Sequence, residues 1–445
     1  MNSASEVLVE YRMDDVIRQF MDFRGRTPLK LGMAWGGGEI RALSANNVQS
    51  GAVNFDKDAH FGSEILYRRW MTKGDCEKGD ILFTTEAPLG NVAQIPDDRR
   101  YILSQRVILL KANREMAEPD YLAQLFQAAE FQSQLHRQST GTTVTGIQQA
   151  RLAKLSIELP PLPQQRKISR ILTTVDNLIE KTEALIAKYQ AIKQGMMHDL
   201  FTRGVDSSGQ LRPTQQQAPD LYKQSELGWI PKVWDEVTLG DELNRIEQGW
   251  SPDCDSIPAK AGQWGVLKTT AVVWDGYADH ENKALPPTLV PRKEFEVRQG
   301  DILMTRGGPN SRVGVVVYVY DTQPMLMMSD KLYRIVPNAT FDPEYLVLAL
   351  SSANTQMHLS RLKTGLAESQ TNISQAIVRR LRVARPTPDE QKEIAKRIRS
   401  ISKLIACEEN TLAKRKEHKS GLMQDLLTGK VRVKVEETEE VAAHA

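Results

Sequence analysis

The segment Ile147–Val205 returns without a gap as Ile373–Val431, about 226 residues further along the chain. The first copy contains IQQARLAKLSIELPPLPQQRKI and ends in KQGMMHDLFTRGV; the second contains ISQAIVRRLRVARPTPDEQKEI and ends in KSGLMQDLLTGKV. Roughly a third of the aligned positions are identical, a level chance rarely sustains over such a length. The period is far too long for a solenoid, whose units run about 20–50 residues. The chain must therefore fold as two whole domains, each succeeded by the same helix.

Within each copy the strand that ends the globule is stopped by Pro160-Pro161-Leu162-Pro163 or Pro386-Thr387-Pro388. Proline lacks an N–H and fixes φ, so it ends a strand and sets the start of the next element. That next element is helical. Ile168, Ile171, Val175, Leu178, Leu185, Tyr189, Ile192 and Met196 alternate at three and four, with one step broken at Thr182. Ile394, Ile401, Leu404, Thr411, Leu422 and Leu426 are their counterparts. Such spacing makes a coiled-coil seam. Each helix of about 38 residues spans about 57 Å at 1.5 Å per residue. Neither hides its stripe alone, so the two are expected to pack antiparallel; the alternative is two separate bundles, one inside each globule.

The globules mix strands with turns. Lys78-Gly79-Asp80-Ile81-Leu82 and Gln299-Gly300-Asp301-Ile302-Leu303 are matching turns feeding strands, and Pro119 and Pro343 open matching helices. The expected fold class is α+β: two globules separated by two long antiparallel coiled-coil helices, with an internal pseudo-twofold repeat. The division read from the sequence is a first globule at 1–160, its long helix at 161–205 and a polar linker at 206–224. A second globule at 225–386, its helix at 387–431 and a disordered acidic tail at 432–445 complete it.

A net charge of only +2 means that any nucleic-acid argument must come from local clusters. One such run, Arg361–Arg399, includes Arg379, Arg380, Arg382 and Arg385, although a solvated helix or strand edge explains it equally well. Three dispersed cysteines argue for a reducing compartment. No basic-then-apolar leader and no apolar run of about 18 residues is present, so the expected location is the cytoplasm, away from membranes.

Catalytic signatures are missing. There is no GxxxxGK[ST] loop, no GxGxxG, no histidine pair at metal-ligand spacing and no DPPY-like run to grip a flipped adenine. Pro388-Asp389-Glu390-Gln391-Lys392 has a nuclease-like composition, but its acidic residues are contiguous rather than on separate strands. No catalytic residue, metal ligand or cofactor is expected.

The ordered duplicate of globule, Pro/Gln junction and long helix resembles the specificity (S) subunit of type I restriction-modification systems. Ser225-Glu226-Leu227-Gly228-Trp229-Ile230-Pro231, the two GDIL runs at 79–82 and 300–303, and the helix ends GMMHDL and GLMQDL carry the resemblance. It covers about residues 15–431; the first globule lacks a SELGWIP run, so residues 1–14 read as extra. The resemblance implies a non-catalytic subunit that reads a bipartite, asymmetric sequence in double-stranded DNA. It also implies two methyltransferase (M) subunits and restriction (R) subunits as partners.

Base reading needs Arg/Lys forks and Asn/Gln amides on loops at a groove; phosphate gripping needs cations, hydroxyls and free amides. Thr305–Arg312 offers Arg306, Asn310 and Arg312 around Gly307-Gly308. The early turns supply Arg24, Arg26 and Thr27 in one half and Gln248, Trp250 and Ser251 in the other, read as equivalent. Before the junctions stand Thr140, Thr142 and Thr143, matched by Lys363, Thr364 and Gln370. Ordinary hairpin decoration explains these residues too. The rival of a different class is a coiled-coil adaptor that binds only proteins.

Overall fold

Period-two patterning builds the centre of each half. In Ile81–Thr85 and Val107–Ala112 every residue is buried, so both strands must be covered on both faces. Ile81, Phe83, Ile108 and Leu110 join one core, while Leu82, Val107 and Leu109 join another. The computed structural model describes residues 8–141, 145–363 and 371–435. Two compact units result, Met1–Ala184 with Glu409–Ala445, and Leu185–Glu408.

The first unit centres on an antiparallel sheet ordered Ile17–Asp22, Val107–Ala112, Ile81–Thr85, Leu89–Gln94. One face carries Pro119–Leu125 and Ala129–Gln138, with Phe126 and Phe131 packed edge-on to Phe83. The other carries Glu64–Trp70 and a small sheet ordered Phe61–Gly62, Ile40–Leu43, Tyr101–Leu103. The second unit repeats this plan with Leu243–Gln248, Leu332–Pro337, Ile302–Thr305 and Val316–Tyr318. Its small sheet is Asn282–Ala284, Gly265–Leu267, Leu326–Met327. Even the single parallel pairing of the small sheet recurs. The α+β class and the duplicated order are as expected.

The sequence motifs prove to be joints. Gly79 and Gly300 sit at φ 86° and 93°, where a Cβ is strained. Asp80 and Asp301 close those turns by accepting the backbone N–H of Glu77 and Arg298, both at 2.9 Å or less. Gln165 accepts from Glu118 N and donates to the Met116 and Pro160 carbonyls; Gln391 does the same with Asp342, Thr340 and Pro386. Each buried amide thus ties a long helix to the globule before it.

Three details differ from expectation: the start of the first globule, the linker and the start of the tail. Val9–Arg12 is a strand paired with Ser156–Leu159, as Asp235–Thr238 pairs with Arg382–Arg385, so residues 9–12 belong to the first globule rather than being extra. SELGWIP lies just ahead of the strand Asp235–Thr238, in a hairpin of Tyr222–Ser225 against Gly228–Pro231. The expected linker is also tied down. Arg212 pairs with the buried Glu390 at 2.6 Å, and Glu390 accepts the Val205 N–H. The basic run is largely structural: Arg382 meets Thr238 and Glu226, and Arg385 meets Asp235 and Glu242. At the far end Val433 packs on the first core, so the tail starts later than 432; its residues 436–445 lie outside the described residues.

The helices Leu162–Thr202 and Pro388–Leu427 are slightly longer than expected, at 41 and 40 residues. Each contributes to both units. Within the first unit they run antiparallel: Asp176 meets Lys419 at 2.6 Å, Glu183 meets Lys416 at 2.7 Å, and Ile168 and Leu172 share a core with Leu426. Within the second, Leu200 and Phe201 share a core with Ile394 and Ile398. Separate bundles are therefore excluded.

The seam is partly one residue out of phase with the apolar pattern. Ile168, Ile394 and Ile401 are buried, and Val175, Leu185 and Leu422 are half-buried. Leu178 and Leu404 are 41% and 50% exposed; Leu172, Ile186, Ile398 and Ile405 are buried instead. Thr182, read as a break, is 2% exposed and lies in the seam, where Arg415 donates to its hydroxyl and to the Leu178 carbonyl. At the shifted steps two apolar residues are adjacent, Leu185 and Ile186 or Leu404 and Ile405, and it is the second of each pair that is buried.

Candidate nucleic-acid interface

Strand registers fix the equivalence of the two units. Ile108 opposes Asp22 and Phe83, as Tyr333 opposes Gln248 and Met304. Thr85 N–H meets the Arg106 carbonyl as Arg306 N–H meets that of Lys331. Glu86 bridges Gly146 as Gly307 pairs with Asn372, 226 residues on. Asp22 therefore matches Gln248 and Arg24 matches Trp250. The two early turns are equivalent, but two residues apart from the match made on their glycines and prolines.

In the second unit one end of the sheet gathers three chain segments. Gly249 leaves no room for a side chain, since a Cβ would stand 2.2 Å from the Met328 carbonyl. That contact seats Trp250, whose N–H donates to Met328 at 3.0 Å and whose ring carries the Arg292 guanidinium 4.3 Å from its centroid. Ser251 bonds the Asp330 carboxylate and accepts its N–H. Arg306 lies over Tyr333, its Nη1 donating to the Asp330 carbonyl at 3.2 Å and its Nε buried without a partner. Gln248 is half-buried at the strand end, and Asn310 and Arg312 lie exposed on the short helical turn Asn310–Arg312. Arg312 forms no ion pair among the described residues. Lys363 donates to the Val313 carbonyl at 3.1 Å, and burial pushes its pKa down.

The first unit presents less free charge. Arg24 is clamped by Asp22, and Arg106 stands 3.6 Å from Glu86. Arg26 is spent on structure: it donates to the Trp70 carbonyl and the Thr72 hydroxyl, closing the helix Glu64–Trp70. Thr27 accepts the Lys30 N–H, and Thr140 exchanges two backbone bonds with Gly146. Thr142, Thr143, Thr364 and Gln370 lie outside the described residues. Arg106, Arg292 and Lys331 were not singled out from the sequence. Arg106 has φ +64°, a turn conformation unusual for arginine and without a sequence signal.

Among the described residues no group of His, Cys, Asp and Glu is placed to hold a metal, and no helix is long and apolar enough to cross a membrane. What the two sheet ends can offer is hydrogen-bond donors, amides and stacked rings, the chemistry of a nucleic-acid groove.

The family described as type I restriction modification DNA specificity domain matches residues 10–190 and 266–415, and the chain belongs to it. It is similar to the Type I restriction enzyme EcoEI specificity subunit of Escherichia coli, 39% identical over 177 residues, covering 39% of this chain and 30% of that protein. A longer match, 29% identical over 369 residues and covering 80% and 79% of the two chains, is to the putative type I restriction enzyme MjaX specificity subunit of Methanocaldococcus jannaschii. The crystal structure of the type I restriction-modification system S subunit from M. genitalium shares the fold, with a TM-score of 0.59 at 14% identity over 96% and 97% of the chains.

Proposed function

We propose that the chain is the non-catalytic DNA-specificity subunit of a type I restriction-modification complex, each unit reading one half of a bipartite, asymmetric duplex target. The duplicated sheet end carries this reading: two equivalent corners, built alike and dressed differently, suit two different half-sites. The long helices act as the spacer between readers. Two methyltransferase subunits and the restriction subunits are the expected partners, in the cytoplasm, and the subunit itself holds no cofactor.

Binding of the chain with its methyltransferase subunits to duplex DNA tests this over a range of salt. A DNA reader releases counterions, so log K falls linearly with log salt, by about 0.9 per phosphate neutralised. A protein-only adaptor gives no slope. Arg306→Ala should cost about 1–3 kcal/mol and relax one position of the second half-site. Weakening spread evenly over all sequences would make Arg306 a phosphate contact.

A further inference from the structure

Arg24 is held unlike any other arginine of its turn. Its Nε donates to both Asp22 carboxylate oxygens, at 3.0 and 2.9 Å, and its Nη2 to Oδ2 at 2.6 Å. Nη1 donates to the Thr85 hydroxyl at 3.0 Å. Asp22 also accepts the Arg24 backbone N–H at 2.9 Å, so the carboxylate is fixed before it fixes the guanidinium. Burial acts to raise the Asp22 pKa, but the Arg24 side chain and backbone N–H, with Lys73, outweigh it and leave it lowered. The clamp is therefore charged at neutral pH.

A guanidinium has five N–H donors. Three are used, leaving one on each terminal nitrogen, and the Arg24 side chain keeps 28% of its surface accessible. Arg26, two residues on, spends its donors on carbonyls and a hydroxyl instead.

The second unit gives an independent pointer. Its residue matching Arg24 is Trp250, yet a guanidinium still stands at that corner: Arg306 grows from the position matching Thr85, the residue that Arg24 reaches. Two strands thus deliver the same group to the same corner. Shared ancestry preserves positions; a shared task preserves the group.

We infer that Arg24 reads a guanine of the first half-site, its two free donors meeting O6 and N7, with Asp22 as the positioning residue. This role rests on the proposed reading of DNA by the two units. Donor pairs of this kind favour guanine over other bases.

The test is mapping of methylated adenines in cells whose complex carries Arg24→Ala, Arg24→Lys or Asp22→Asn, with the melting temperature of each complex. Arg24→Ala should lower discrimination at one guanine of the first half-site by roughly 5- to 150-fold and leave the second half-site unchanged. Asp22→Asn should weaken preference at that same base, and Arg24→Lys should restore affinity without restoring discrimination. A first half-site without guanine overturns the assignment. So does uniform weakening, which marks a phosphate contact, or an intact sequence preference with a lowered melting temperature, which marks a structural turn. A wild-type complex that binds duplex without sequence preference would instead overturn the reading on which it rests.

Discussion

Leu109 and Arg334 occupy the same place in the central strands of the two units, and their surroundings are opposites. In the first unit Leu109 opposes Met21 and lies among apolar side chains. In the second Arg334 opposes Glu247, meeting it at 2.7 Å and Asp301 at 3.0 Å, and it also donates to the Glu294 and Glu296 carbonyls. Two positions along, the sense reverses: Lys111 is buried with Asp80 at 2.7 Å, where the second unit has Val336. One backbone plan therefore accepts either a charge pair or a hydrocarbon pair in its centre. The requirement is that each buried group be satisfied, not that it be of one kind.

That comparison breaks most sharply at the charge pair. Arg334→Leu should take the buried cation from Glu247 and Asp301, leaving them Arg245 and the Arg298 N–H, and destabilise the second unit by about 2–3 kcal/mol. Adding Glu247→Met, which copies the first unit, should recover more than half of the loss. Urea denaturation with hydrogen exchange on Leu332–Pro337 reads both; no recovery would mean that the two cores are not interchangeable.

The helices sharpen it next. Ile405→Asp should cost about 3 kcal/mol by burying an unpaired carboxylate, while Leu404→Asp should stay within about 0.5. Ile179→Asp, at a half-buried position, and Leu178→Asp, their counterparts in the other unit, should show the same contrast at smaller size. Equal melting of neighbouring variants would refute the seam's phase. The smallest effect is electrostatic. Arg312→Gln should flatten the salt dependence of DNA binding by about 0.9 if it neutralises one phosphate. Arg106→Gln should do less, because Glu86 already stands beside it. A steeper loss at Arg106 would reverse the assignment of the freer charge to the second unit.

What the sequence conveyed depended on how local each signal is. The Pro/Gln junctions and the GD turns are short-range, and each forms the joint its residues imply. Coiled-coil phase failed where two apolar residues stand side by side, as Leu185 with Ile186 and Leu404 with Ile405, since spacing alone does not say which of them faces inward. The candidate interface was legible as loops, but the partners of its arginines were not. Arg24 and Arg26 look alike in sequence; only the carboxylate of Asp22 and the carbonyl of Trp70 separate a presented guanidinium from a consumed one. The match of Arg24 to Trp250 needed strand register, which glycine spacing misplaces by two residues.

In each unit the strand that begins the globule pairs with the strand that ends it, Val9–Arg12 with Ser156–Leu159 and Asp235–Thr238 with Arg382–Arg385. The two backbones run side by side where they meet the helices. At the level of the gene, each globule is thus a cassette whose two borders converge on one small patch of structure. Two crossovers within those border strands would exchange everything between them while leaving Gln165 or Gln391 to fasten the newcomer. If each unit reads its own half-site, as proposed, one such exchange would change a whole half-target at once, without mutation of its loops.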